Sequence, residues 1–150
     1  MARFVWRLQR VLDIREKQQQ ALQAELMVMT EKAVAIRQAI MVVRVKLRTM
    51  MDDLSSMDAK ERLLSQQIFM KYAEYSEKEI IRLEGELESV EKIRQEMMVE
   101  IQEKRKFIKG LEKLREKAKD EFIERANLLE QKELDEFTNN RFGSKSVLTA

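Results

Sequence analysis

The sequence predicts an all-α protein: two long helices forming an antiparallel, left-handed coiled-coil hairpin, with the second helix longer than the first and overhanging it. Three observations carry that expectation. The 150 residues include no proline and only three glycines, so a sheet or layered fold has almost nothing from which to build its corners. Charged residues make up 37% of the chain and aromatic residues 6%, a balance that suits solvated helices better than a thick core. Apolar residues also recur at an average spacing of about 3.5, the repeat that holds one seam of a helix against a partner in a left-handed supercoil.

The first helix is expected over residues 1–54. From Leu22, alternating steps of four and three reach Leu26, Met29, Ala33, Ile36, Ile40, Val43, Leu47, Met50 and Leu54, every one apolar. Backwards from Leu22 the pattern is broken by Gln19 and Arg15 before Leu12, Leu8 and Val5 restore it. Asp and Ser then cluster at Asp52-Asp53-Leu54-Ser55-Ser56-Met57-Asp58, which marks a turn at about 55–60. Ser55 followed three residues later by Asp58 has the spacing of a helix-capping pair.

The second helix is expected over 61–138. Its seam is Ile80, Leu83, Leu87, Val90, Arg94, Met97, Ile101, Lys104, Ile108, Leu111, Arg115, Ala118, Phe122, Arg125 and Leu129. The basic members have long stems that cover apolar surface while the charge reaches water. A turn near 58 sets Phe4 opposite about residue 112, so the second helix overhangs from about 116. Phe122, Leu128, Leu129 and Phe137 then need another partner. Residues 139–150 lose the heptad, gain small polar residues and read as a disordered tail.

Charge supports folding back. Residues 1–48 hold ten Lys or Arg against four Asp or Glu, whereas residues 74–103 hold ten Glu against four basic residues. The opposite fields favour pairing the two arms and oppose pairing an arm with its own copy.

The composition removes much chemistry. Without Cys or His there is no thiolate nucleophile, disulfide, imidazole zinc site or His-based triad. Neighbouring carboxylates such as Glu84 and Glu88 arise by chance in so Glu-rich a helix, and nothing closes a pocket over them. No glycine-rich phosphate loop is present, and the net charge of +2 gives nucleic acid little to bind. The expectation is a soluble, non-enzymatic chain with no cofactor, no metal, no nucleic-acid partner and no small-molecule substrate. Two small groups invite partners: the basic, aromatic start with Phe4 and Trp6 beside Arg3, Arg7 and Arg10, and the Met70, Tyr72 and Tyr75 cluster. The proposed turn also sets Gly110 opposite Trp6, leaving space for the indole.

Two segments are more specific than a heptad. Phe4-Val5-Trp6-Arg7-Leu8-Gln9-Arg10-Val11-Leu12-Asp13-Ile14-Arg15-Glu16 resembles the opening of the flagellar FliJ family, which runs aromatic, two residues, Leu-Gln, one residue, hydrophobic-Leu-Asp, one residue, Arg-Glu. Leu111-Glu112-Lys113-Leu114-Arg115-Glu116-Lys117 and Glu130-Gln131-Lys132-Glu133-Leu134-Asp135-Glu136-Phe137 resemble its C-terminal motifs.

The resemblance implies an antiparallel two-helix coiled coil similar to the central stalk of rotary ATPases. It implies a cytoplasmic protein peripherally associated with the inner membrane at the type III export apparatus of the bacterial flagellum. The implied partners are the hexameric export ATPase, the cytoplasmic domain of the export gate, the ATPase regulator and export chaperones. By resemblance, Leu111, Leu114, Lys117, Gln131, Asp135, Glu136 and Phe137 form the ATPase-facing stalk, to which the overhang adds Phe122; Tyr72 matches the aromatic position of the family's gate contact, and Tyr75 belongs to the same cluster. Ser76, Glu79 and Leu83 depart from the family's residue types in that second patch. Two other readings stand beside it: the stalk protein of a virulence type III secretion ATPase, and a self-assembling structural coiled coil.

Overall fold

The computed structural model describes residues 2–149, with side chains described as far as Gly143. Helix α1 spans Gln9–Ser55 and α2 spans Ala59–Thr149, and the two pack against each other as an antiparallel coiled-coil hairpin. No described residue has a positive φ or a cis peptide bond, so nothing in either helix compels a kink. The chain divides into two compact units, Gln19–Glu103 and a unit made of Met1–Gln18 with Lys104–Ala150.

In the unit Gln19–Glu103, Ala33, Ile40 and Leu83 are buried. Leu22, Leu26, Met29, Ile36, Val43, Leu47, Met50 and Leu54 of α1 are half-buried, as are Leu87, Val90 and Met97 of α2. Each of these side chains lies on the helix face turned to the other helix, where removing apolar surface from water supplies the main attraction. Arg37 pairs with Glu91 at 2.8 Å and Arg44 with Glu84 at 3.0 Å, which fixes the antiparallel sense. Arg94 sits inside this margin. Its guanidinium donates to both carboxylate oxygens of Glu91 at 2.8 Å and to the Thr30 hydroxyl at 3.2 Å. The seam therefore tolerates a cation by giving it three acceptors on two helices.

The reversal occupies residues 56–58, between Ser55 and Ala59. The expected Ser55–Asp58 capping pair does not form. The Ser55 hydroxyl instead donates to the Asp52 carbonyl at 2.7 Å, and that of Ser56 to the Asp53 carbonyl at 2.9 Å. These carbonyls lie in the last turn of α1, where intrahelical donors run out, and the hydroxyls add to what remains, Asp53 also accepting from the Ser56 amide at 3.3 Å. Arg62, which the sequence did not single out, donates from Nη2 to the Met57 carbonyl at 2.8 Å and to the Ser55 carbonyl at 3.4 Å. Its positive charge sits where the α1 dipole is negative.

In the unit Met1–Gln18 with Lys104–Ala150, Leu12, Ile108 and Leu111 form a buried cluster against which Trp6 and Leu8 pack. The Arg115 Nε donates to the Gln9 Oε1 at 2.8 Å, and the Phe4 and Phe122 rings meet at 5.5 Å between centroids. Phe4 thus lies at Phe122, not near residue 112. The first helix does not begin at residue 1: residues 2–6 are irregular and α1 starts at Gln9. An irregular or extended chain advances about 3.3 Å per residue against 1.5 Å in a helix. Few residues therefore suffice to carry Phe4 well along α2. Ala118, Phe122 and Ala126 are half-buried in consequence, so the overhang begins after Ala126 and not at about 116. Arg125 and Leu129, expected in the seam, are exposed.

Helix α2 also continues past residue 138 to Thr149, where a disordered tail was expected; Ala150 lies outside the described residues. Asn139 to Thr149 include no proline, and each added residue closes a further backbone hydrogen bond onto a helix already nucleated.

Gly110 leaves no slot for the indole of Trp6. A Cβ added at Gly110 meets nothing within 4 Å, and the residue is exposed in ordinary helical conformation. Gly110→Ala is therefore expected to stabilise the protein by about 0.5–1 kcal/mol, because alanine loses less backbone entropy in a helix. Urea unfolding followed by circular dichroism checks this; a lower midpoint would mean that the indole needs that space.

Candidate protein-docking site

The residues singled out for partners fall into three environments. Leu111 is 7% exposed and belongs to the hairpin core, and Phe122 is held by Phe4. Neither side chain is free to face another molecule while the hairpin is closed. Leu114 is 53% exposed, and Lys117, Gln131, Asp135, Glu136 and Phe137 are exposed as well.

Beyond Ala126 every residue from Asn127 to Gly143 is exposed. This run carries Leu128, Leu129, Leu134, Phe137 and Phe142 with about two-thirds of each surface open. Phe122, Ala126, Leu129 and Phe137 follow one another at steps of four, three and eight residues. In an α-helix those steps keep one face, so the apolar face of α2 runs on after its intramolecular partner has ended. Five large apolar side chains in such a stretch are unusual for a helix that only meets water.

The middle of α2 behaves differently. Tyr72 is half-buried and Tyr75 is 66% exposed, whereas Ser76 is almost fully enclosed and Leu83 is buried in the seam. Glu79 is held by Arg82, whose side-chain hydrogen bond keeps the carboxylate below its usual range on a solvated surface. Tyr75 is thus the open aromatic of that patch.

Two further apolar surfaces are open, the second of them reaching Met70 of the cluster with Tyr72 and Tyr75. On α1, Met27, Val34, Met41 and Val45 are exposed; the seven-residue spacing of the first three was a legible signal, masked by the stronger seam beside it. Around the turn, Met51, Leu63, Leu64, Ile68 and Met70 are all exposed. No group of His, Cys, Asp or Glu among the described residues is arranged to hold a metal ion, and no helix there is long and apolar enough to cross a membrane.

Against this geometry, the family model described as Flagellar FliJ protein matches residues 4–146. The chain belongs to the FliJ family. The match takes in both the N-terminal segment that packs on Phe122 and the exposed run after Ala126. No curated protein and no solved structure matches the chain. As a FliJ-family protein it is a non-enzymatic component of the flagellar export apparatus, and membership carries interaction with the export ATPase and gate components in general.

Proposed function

We propose that the chain acts as the central stalk of the hexameric export ATPase, with the exposed run Asn127–Gly143 of α2 as the element that the ring grips. The observation that carries this reading is the apolar face of α2 continuing through Leu129 and Phe137, both about two-thirds exposed among the described residues. A lone helix of this length is marginal in water and gains stability from whatever covers that face. Leu114, Lys117, Gln131, Asp135 and Glu136 add exposed positions to the same contact, while Leu111 and Phe122 support it from inside the hairpin. Tyr75, with the edge of Tyr72, is the contact offered to the cytoplasmic domain of the export gate, and the ATPase regulator and export chaperones complete the set of partners. The protein works in the cytoplasm, peripherally associated with the inner membrane. The flagellar system is favoured over a virulence secretion system because the matching family is the flagellar one.

The test uses the full-length chain with Leu129→Glu and Phe137→Glu together. Both side chains are exposed, so the hairpin is expected to keep its melting temperature. Steady-state phosphate release by the export ATPase of the same organism is expected to rise with the unaltered chain. With the double variant that stimulation should fall several-fold towards the basal rate. Equal stimulation by both chains would remove the run 127–143 from the contact, and no stimulation by the unaltered chain would remove the stalk role.

A further inference from the structure

The turn that closes the hairpin is held by little that is specific to a turn. Residues 56–58 include neither glycine nor proline and none has a positive φ, so each of Ser56, Met57 and Asp58 is compatible with continuous helix. What holds the reversal is a set of polar contacts: the Ser56 amide to the Asp53 carbonyl and the Met57 amide to the Leu54 carbonyl, each at 3.3 Å, the Ser55 and Ser56 hydroxyls on the Asp52 and Asp53 carbonyls, and the Arg62 guanidinium on the Ser55 and Met57 carbonyls.

Beside this turn lies apolar surface that the hairpin leaves open. A groove of about 210 Å³ is lined by Met50, Leu54, Met57, Ile68 and Phe69 together with Asp53 and Ser65, and Leu64 and Ile68 are 69% and 59% exposed. Their placement follows a rule. The α1 seam of Leu47, Met50 and Leu54, continued in steps of three and four, passes through Met57, Glu61, Ser65, Phe69, Tyr72 and Ser76 onto the α2 seam at Ile80, with Leu64 and Ile68 on its flank.

We propose that the hairpin opens at residues 56–58 and exchanges arms with a second copy, α1 and α2 fusing through the turn into one helix that pairs antiparallel with its twin. Every α1-to-α2 contact within Gln19–Glu103 then re-forms between chains, including Arg37 with Glu91 and Arg44 with Glu84. The basic arm still meets an acidic one, so the charge pattern that opposes pairing an arm with its own copy does not oppose exchange. Met57 and Leu64 gain the partner's copies of the same stretch as cover, a direct continuation of the existing interface. The local charge argues against an anionic lipid surface as occupant: Asp52, Asp53, Asp58 and Glu61 outnumber Lys60 and Arg62. Exchange is a low-cost route to a dimer because it reuses contacts already present, and it is favoured by concentration.

The chain has no cysteine, so Arg44→Cys with Glu84→Cys introduces its only two thiols, at positions that face one another across the helix pair. Full-length protein carrying this pair is refolded over a range of concentrations, treated with a short bis-maleimide and examined by sedimentation and on a denaturing gel. The expected result is a dimer whose fraction rises with concentration and whose cross-links join two chains. Adding Arg62→Ala and Ser56→Ala, which releases the turn and favours helix, should raise the association constant about tenfold. A protein that stays monomeric at every concentration even with the released turn overturns the proposal. A dimer whose cross-links lie within single chains also overturns it, since the copies would then be docked as closed hairpins.

Discussion

Ile40→Asp is expected to destabilise the hairpin by about 3 kcal/mol or more, since the variant places a carboxylate where an aliphatic side chain fills the seam. Ile40 is 6% exposed and lies between Arg37 and Arg44 on successive turns of α1. Those arginines do not rescue the new charge without loss, because they already serve Glu91 and Glu84. Turning either inward leaves its glutamate among the other carboxylates of α2. Met41→Asp is the matched control: its side chain is 65% exposed one residue further on, and the expected change is within about 0.5 kcal/mol. Thermal unfolding by circular dichroism should show a loss of roughly 6–12 °C for the first and almost none for the second. Equal melting temperatures for the two variants would mean that Ile40 does not face α2.

Leu111→Ala is expected to cost about 2–3 kcal/mol, from lost transfer energy and a partly filled cavity among Leu12, Ile108, Trp6 and Leu8. Trp6 is the only tryptophan in the chain, so its fluorescence reports on this cluster alone. Emission should shift to longer wavelength as water reaches the indole, together with a lower unfolding midpoint. Leu114→Ala, at a half-exposed position one helical turn away, should change neither by much. The pair separates two roles that the family motif joins. If Leu111→Ala leaves both the emission and the midpoint unchanged, the N-terminal segment does not pack where Phe4, Trp6 and Leu8 place it.

That separation shows where reading the motif alone falls short. Leu111 and Leu114 belong to one C-terminal motif, yet one lies under Trp6 and the other faces outwards. Residue type does not distinguish two leucines; only the path of the N-terminal segment does. Arg62 is a similar case. A basic residue in the first turn of a helix is unremarkable in sequence, and its hold on the α1 carbonyls exists only because the chain reverses there. Tyr72 and Tyr75 form one cluster in the sequence, but the helical rotation between them leaves Tyr75 open and tucks Tyr72 partly in.

The features legible in the residues alone are local and periodic: two helices and an antiparallel hairpin with the second helix longer. Scarce glycine and absent proline leave helix as the default, a heptad marks one face over many turns, and opposite charge on the two arms favours folding back. How far one helix is displaced along the other is set by tertiary contacts. A heptad nearly repeats itself after a slip of one or two turns, so Leu12 opposite one α2 leucine differs little from Leu12 opposite another until the ends are counted. The ends break that near-degeneracy: α1 closes over residues 56–58 with Arg62 on its carbonyls, and the irregular residues 2–6 carry Phe4 to Phe122. The start of the open run at Asn127, and with it the surface left for a partner, follows from the contact of Phe4 with Phe122, because an irregular segment covers more of its neighbour per residue than a helix does.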